Sequence, residues 1–346
     1  MNPRRSEQRK RPQKPRILVI GCGSIGKRHI ANLISLRAGE IRACDGVRER
    51  AQETGTRFGI ETGTSLAAAW KWMPDVVLIA TPPSSHVELA IEAARRGCDL
   101  FIEKPLSDRT RGIRELSGLV RKQDLVSMVG CNLRFHPGLV RVKQLLENRR
   151  IGRVVSAAVE FGQYLPDWHP AEDYRSGYSA RVDLGGGVIL DAIHEIDYIR
   201  WLIGEVKAVA CMAGIFSSLE LRTEDTAAML LYFTRGAVGE VHLDYVQRAY
   251  SRRCKLVGEE GTIAWDFTAG TVRWFAADDG CWRTFRTPRT WDVNRMYIDE
   301  MRHFLASRAR RARTCLDVDE AARVLEIAFA AKRSAKSGAF VRLEGR

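Results

Sequence analysis

The sequence predicts an α/β protein: an N-terminal doubly wound, dinucleotide-binding domain, then an α+β domain with an open, mainly antiparallel sheet. Between Arg16 and about Gly130, short apolar runs alternate with helical patterns, as successive βαβ units require. Gly21-Cys22-Gly23-Ser24-Ile25-Gly26 follows the first apolar run directly and opens the first helical pattern. From about Val154 the pattern changes to long strands in succession. Gly-centred turns such as Thr234-Arg235-Gly236 and Glu259-Glu260-Gly261 divide them, which indicates antiparallel hairpins.

In the first half the strands fall at 16–21, 41–45, 60–62, 75–80, 99–103 and 126–131, with helices near 26–36, 47–58, 66–73, 87–96 and 110–123. A connecting helix over 137–148 leads to strands at 154–165, 207–214, 226–234, 237–247, 253–259, 261–267 and 271–275. One helix interrupts this run, starting near Gly187 and passing through Asp191, His194, Asp197, Ile199 and Leu202. A helical pattern includes Tyr297, Glu300, Met301, Phe304 and Leu305, and the chain closes with a helix over 319–336 and a short strand at 340–343. The division expected is a disordered basic tail at 1–14, a nucleotide-binding domain at 15–131 and a substrate-binding and oligomerisation domain at 132–346.

The chain has 346 residues, 45% hydrophobic and 28% charged, enough for about two domains. No apolar run reaches the roughly 18 residues that span a bilayer, and the first residues are basic and polar, so a cytoplasmic protein without membrane contact is expected. The eight cysteines form no C-x-x-C pair and have no His at metal-ligand spacing; they read as reduced thiols in or near the core, with no metal site. The net charge of +13 is scattered, apart from the tail and Arg308–Arg313. No zinc-finger, homeodomain or aromatic-basic pattern accompanies it, so no nucleic-acid partner is expected.

The glycine motif has a mechanism. Gly21 permits a tight turn, Gly23 lets backbone approach a pyrophosphate, and Gly26 lets the helix pack on its strand, with Ser24 and Ile25 at the helix N-terminus. Asp45 ends the second strand, where a carboxylate can accept hydrogen bonds from both adenosine ribose hydroxyls. The same carboxylate repels a 2′-phosphate, which favours NAD over NADP, although Arg48 and Arg50 lie close by. Thr81, Pro82 and His86 follow the fourth strand at the sheet edge where ligands bind, with Ser85 a candidate N-cap; Thr81 and His86 are expected to face the cofactor.

Phe101-Ile102-Glu103-Lys104-Pro105 ends the fifth strand at the same edge. Beside a nicotinamide, the Lys104 ammonium would be partly desolvated, and a lowered pKa is expected, suited to proton relay. Gly185-Gly186-Gly187 then opens the helix with Asp191 and His194 at i, i+3, one face of a turn. A His can take a hydroxyl proton while hydride leaves the same carbon, and a nearby carboxylate can orient it.

These motifs, in this order, resemble the glucose-fructose oxidoreductase and inositol dehydrogenase family, Gfo/Idh/MocA, over the chain from Arg16 to the closing strand. The most specific matches are Glu103-Lys104-Pro105, Asn132-x-Arg134-Phe135 with His136-Pro137, and the glycine-rich Asp/His helix. The resemblance implies a Rossmann domain followed by a sugar-binding domain whose sheet builds homodimers or homotetramers. It implies Lys104, Asp191 and His194 as catalytic residues, Glu103 and Asn132 toward the cofactor, Arg134 toward the substrate, and a cis peptide before Pro105. Many relatives separate the Asp and His by three residues, whereas here only Ala192 and Ile193 intervene.

The segment from Gln163 to Arg175, leading to Tyr178 and Arg181, is expected to loop over the site, with Trp168 and Tyr174 stacking on sugar C–H surfaces and Arg175 holding an anionic group. The expected activity is hydride transfer between NAD, less readily NADP, and a secondary hydroxyl or keto group of a sugar, sugar derivative or cyclitol. Two alternatives keep part of this reading: a hydrolase or eliminase working through transient oxidation, and a catalytically silent NAD-binding regulator that touches nucleic acid through its basic tail.

Overall fold

Runs such as Val76-Val77-Leu78-Ile79 are buried on both faces, which is what a strand inside a parallel sheet covered by helices on both sides requires. In the computed structural model, which describes residues 14–343 apart from His169, Ala171, Glu172 and Asp279, six such strands form one parallel sheet. They are β1 (Arg16–Ile20), β2 (Glu40–Cys44), β3 (Glu61–Gly63), β4 (Val76–Ile79), β5 (Asp99–Glu103) and β6 (Ser127–Gly130), in the order β3-β2-β1-β4-β5-β6. The connecting helices are α1 (Ser24–Ser35), α2 (Arg48–Phe58), α3 (Leu66–Lys71), α4 (His86–Arg95) and α5 (Ile113–Lys122). Most of the tail assigned to 1–14 lies outside the described residues.

After α6 (Pro137–Glu147) comes β7 (Val154–Gly162), then α7 (Val188–Asp191) and α8 (Ile193–Ile203). Seven more strands follow: β8 (Val206–Gly214), β9 (Thr226–Phe233), β10 (Val238–Asp244), β11 (Ser251–Gly258), β12 (Gly261–Asp266), β13 (Thr271–Ala276) and β14 (Cys281–Arg286). The chain closes with α9 (Asn294–Arg310), α10 (Val318–Ser337) and β15 (Val341–Arg342). The second sheet runs β14-β13-β12-β11-β7-β10-β9-β8-β15. Every pair is antiparallel except β7 with β10, whose Val241↔Val159 register is parallel. In β9, Ala227, Met229, Leu231 and Phe233 point inward and Ala228, Leu230 and Tyr232 outward, the period-2 alternation of a sheet with one packed face.

Three features differ from the sequence reading. The strand β14 was not expected, because none of its residues is buried and no alternation marks it. The single helix expected from Gly187 is two, broken at Ala192 (φ −89°, ψ 31°), so Asp191 ends one helix and His194 belongs to the next. The expected division at residue 131 is crossed by α9, whose Met301 and Phe304 pack with Ile17, Val19 and Phe101 against the first sheet. Arg308 and Arg311, at and just beyond the end of α9, fix this return by pairing with Asp99 at 3.0 and 2.7 Å. Of the eight cysteines, six are buried, Cys315 is partly exposed and Cys281 exposed, all as free thiols.

Glu300 on α9 is fully buried, and neither carboxylate oxygen has a hydrogen-bond partner among the described residues. Burial, with Glu103 and Asp197 nearby, pushes its pKa well above the ordinary value, so the folded protein holds it as the neutral acid. A raised folded pKa means that the unfolded chain gives up its proton first. Stability is therefore undiminished below about pH 4.3 and falls as pH rises toward the folded pKa, by about 1.4 kcal/mol per unit. Glu300→Gln is expected to raise Tm at pH 8 and to do so progressively less toward pH 5; equal Tm values across that range by calorimetry would contradict the assignment.

Candidate active site

The phosphate loop follows from steric demands at two glycines. Gly21 has φ +100°, and a Cβ there would stand 2.5 Å from the Ala80 carbonyl oxygen; a Cβ on Gly26 would stand 1.9 Å from the Gly21 oxygen. Around Gly23, by contrast, a Cβ would meet nothing within 4 Å, so that side of the loop is open. Helix α1 begins there with no side-chain cap and no acidic residue in its first turn, leaving its N-terminal N–H groups for an anion. Asp45 is buried and accepts hydrogen bonds from the Cys22 N–H (2.7 Å) and the Val47 N–H (2.8 Å), which pins the loop; each oxygen keeps a further lone pair. These residues fit a dinucleotide: the loop and α1 would hold its pyrophosphate and Asp45 its ribose.

Two other residues expected at the cofactor, His86 and Glu103, are engaged within the fold. His86 is fully buried, with Nδ1 2.8 Å from the Pro105 carbonyl oxygen and Nε2 2.7 Å from that of Thr81, so its ring ties two loops together rather than facing the cofactor. Ser85 makes no cap: its hydroxyl donates to Thr81 Oγ1 at 2.7 Å. Pro82 is exposed beside it. The Glu103 carboxylate is 2.5 Å from His29 Nε2 on α1 and accepts the Lys104 N–H at 3.1 Å, which links the phosphate-binding helix to the end of β5. Asn132 is buried at the start of the 3-10 turn after β6.

The Lys104–Pro105 peptide is cis. Lys104 Nζ donates to the Asp191 backbone oxygen at 2.7 Å and to Asp191 Oδ1 at 2.8 Å. Asp191 Oδ1 also accepts from the Tyr178 hydroxyl, and Oδ2 from Ser179 Oγ (2.6 Å) and the Tyr245 hydroxyl (3.1 Å). Burial alone would push this carboxyl up, but Lys104 and the hydroxyls more than offset it and hold it below the usual range. The expected fall in the Lys104 pKa is overturned. Burial, the largest single influence, lowers it, yet the Asp191 carboxylate by charge and hydrogen bond, with Tyr178 and Glu103, together outweigh burial and leave the ammonium more firmly protonated than a free lysine.

Among the described residues, His194 has no partner at Nδ1. Burial first, then the positive charges of Lys104 and Arg252, hold its pKa well below the ordinary value, so the imidazole is neutral. Its neighbour Glu195 is fully buried and accepts from Arg252 Nε at 2.8 Å.

Arg134 is a correction. Its guanidinium grips Asp197 in two bonds of 2.9 and 2.7 Å and donates to the Cys315 carbonyl at 2.6 Å, so it is buried and committed to partners within the fold. In the loop expected over the site, Trp168 packs edge-on against Phe161 and Tyr245, which sets it one residue behind the Asp191 cluster. Tyr174 and Arg175 are turned to Glu220: the Tyr174 hydroxyl accepts its N–H at 3.2 Å, and Arg175 pairs with its carboxylate at 3.2 Å and with Asp173 at 2.9 Å. They tie loop to loop, and Arg175 has no free fork for an anion. His169, Ala171 and Glu172 of this loop lie outside the described residues.

Sequence reasoning missed Ser179 and Tyr245, and placed Tyr178 only in the covering loop. The signal for Tyr245 was its position at the end of a strand that alternates inward and outward, where a buried hydroxyl needs an acceptor.

A nucleotide loop, a lysine at the end of β5 and a carboxylate partner supplied from the second half of the chain define a nicotinamide oxidoreductase. The chain belongs to the Gfo/Idh/MocA oxidoreductases: residues 15–131 match the model of the oxidoreductase family, NAD-binding Rossmann fold, and 139–264 that of the GFO/IDH/MocA C-terminal domain. Myo-inositol 2-dehydrogenase of Thermotoga maritima is 28% identical over 95% of this chain and 98% of its own length. Levoglucosan dehydrogenase of Pseudarthrobacter phenanthrenivorans is 31% identical over 70% and 69%. A solved levoglucosan dehydrogenase in complex with NADH superposes with a TM-score of 0.87 over 96% of this chain and 100% of that one, at 24% identity, a likeness of fold.

Proposed function

We propose that the protein transfers hydride between NAD and a secondary hydroxyl or keto carbon of a sugar, sugar derivative or cyclitol. The observation that carries this reading is the meeting of Lys104 and Asp191, from the two halves of the chain, beside a neutral His194. When bound, the nicotinamide supplies the hydride acceptor. An ammonium has three donors; Lys104 gives two to Asp191, and the third, beside the Tyr178 hydroxyl, is the one that would turn to the substrate oxygen. Being firmly protonated, Lys104 stabilises negative charge developing on that oxygen and does not act as the base. His194 removes the hydroxyl proton. Asp191, saturated with donors, holds the ammonium in place. The inositol and levoglucosan dehydrogenases among the relatives support a polyhydroxylated ring as the substrate.

The test is a panel of inositols, levoglucosan, free sugars, uronic acids and nucleotide sugars, followed by NADH absorbance with NAD and with NADP. NADH released in step with product, and a kcat/KM for NAD above that for NADP, are expected. Failure of every compound would sink the dehydrogenase reading, and preference for NADP would sink the role given to Asp45.

Self-association is part of the same reading. Met212, Leu230, Tyr232 and Val238 are exposed together on the outer face of the second sheet, with Phe340 at its β15 edge, an apolar surface suited to a second copy of the chain. Light scattering should give a dimer or tetramer that Leu230→Glu weakens; a wild-type monomer at micromolar concentration would refute it.

A further inference from the structure

A histidine base normally has its ring oriented by a hydrogen bond that its second nitrogen donates, often to a carboxylate. His194 lacks one among the described residues, where Nδ1 finds no partner. The helix that carries it is no better held by its own sequence, since α8 starts at a backbone break and has no side-chain cap. What fixes its first turn is the next residue. Glu195, wholly buried, is clamped by Arg252 Nε at 2.8 Å, with Arg252 NH2 farther off at 3.5 Å. Arg252 is immobilised in turn. It sits on β11 opposite Phe161 of β7, its guanidinium lies 4.5 Å from the Phe161 ring and 5.9 Å from that of Phe267, and its backbone oxygen accepts the Phe267 N–H at 3.0 Å.

We propose that Arg252 is a positioning residue for His194: through Glu195 it sets the first turn of α8, and its guanidinium adds a second positive charge, with Lys104, on the side of the ring. Among the described residues, the charges acting on His194 are Lys104 from the end of β5 and Arg252 from β11, and the nearest carboxylates along the chain are Asp191 of α7 and Glu195 of its own helix. Both carboxylates are already matched, Asp191 by Lys104 and Glu195 by Arg252, so neither is free to draw a proton onto the ring. The lowered pKa of His194, to which both Lys104 and Arg252 contribute after burial, agrees with this arrangement. The role of His194 rests on the dehydrogenase reading above; the placement of Arg252 does not.

The test uses the NAD-loaded protein and begins with a measurement that needs no substrate, NMR titration of the His194 imidazole. Arg252→Met is expected to raise its midpoint by about one pH unit, the order of shift one nearby charge produces, and to move the acid limb of kcat/KM upward equally. Arg252→Lys is expected to keep both near wild type. Glu195→Gln/Arg252→Met leaves no unpaired buried charge; at pH 9, where the ring is neutral throughout, it is expected to lower kcat about tenfold, with KM for NAD changed less than about twofold. A folded Arg252→Met protein that titrates His194 as wild type does, or a double variant with wild-type kcat, would overturn the proposal. An absence of turnover by the wild-type protein on the whole panel would instead count against the dehydrogenase reading, with the titration still deciding the role of Arg252.

Discussion

Lys104→Met is expected to lower kcat by about 10²–10⁴-fold on the substrate found in the panel, with NADH affinity nearly unchanged. The size follows from what the ammonium does. It is a fixed cation whose third N–H would meet the substrate oxygen, and methionine keeps the length while removing donor and charge. The loss should also unsettle Asp191, which keeps its three hydroxyl donors but loses the charge that, with them, outweighs its burial, so its carboxyl pKa should rise. NADH binding followed by fluorescence separates this from collapse of the cofactor site. A kcat within about threefold of wild type would remove Lys104 from the chemistry, since groups of this kind contribute roughly 100-fold or more.

His194→Asn should be as damaging to kcat, about 10²–10⁴-fold, and should also change the shape of the pH profile. In the wild type, burial and two positive neighbours depress the imidazole pKa, and the base works only when neutral. The acid limb of kcat/KM must therefore lie below about pH 6.5, with activity retained into mildly acidic solution. In the variant that limb disappears. A wild-type limb above pH 7, or the same limb persisting in His194→Asn, would show that another group is the base.

The first sheet was legible because strands buried on both faces spell continuous apolar runs, and because the spacing Gly21, Gly23, Gly26 answers to separate steric demands. The second was legible where one face is dry, as in β9. The parallel pairing of β7 with β10 was not, because turns report only which strands are neighbours in sequence. At the site, Lys104, Asp191 and His194 could be picked out as motifs, but their protonation could not. The direction of the Lys104 shift depends on a carboxylate 87 residues away, and desolvation, the one cause visible from the sequence, was outweighed. Arg134 was misread for the same reason: nothing local reveals that Asp197 occupies its whole fork. Arg252 was passed over because its importance lies in Glu195, itself hidden beside a more conspicuous histidine.

The return of α9 across the first sheet bears on how this chain can be cut and recombined. A fragment that stops at residue 131 would leave the surface around Ile17, Val19 and Phe101 without Met301 and Phe304, and Asp99 without Arg308 and Arg311. A nucleotide-binding half expressed alone would thus be sticky and weakened. A chimera that borrows this half from one relative and the sugar-binding half from another must carry residues 294–311 with the first.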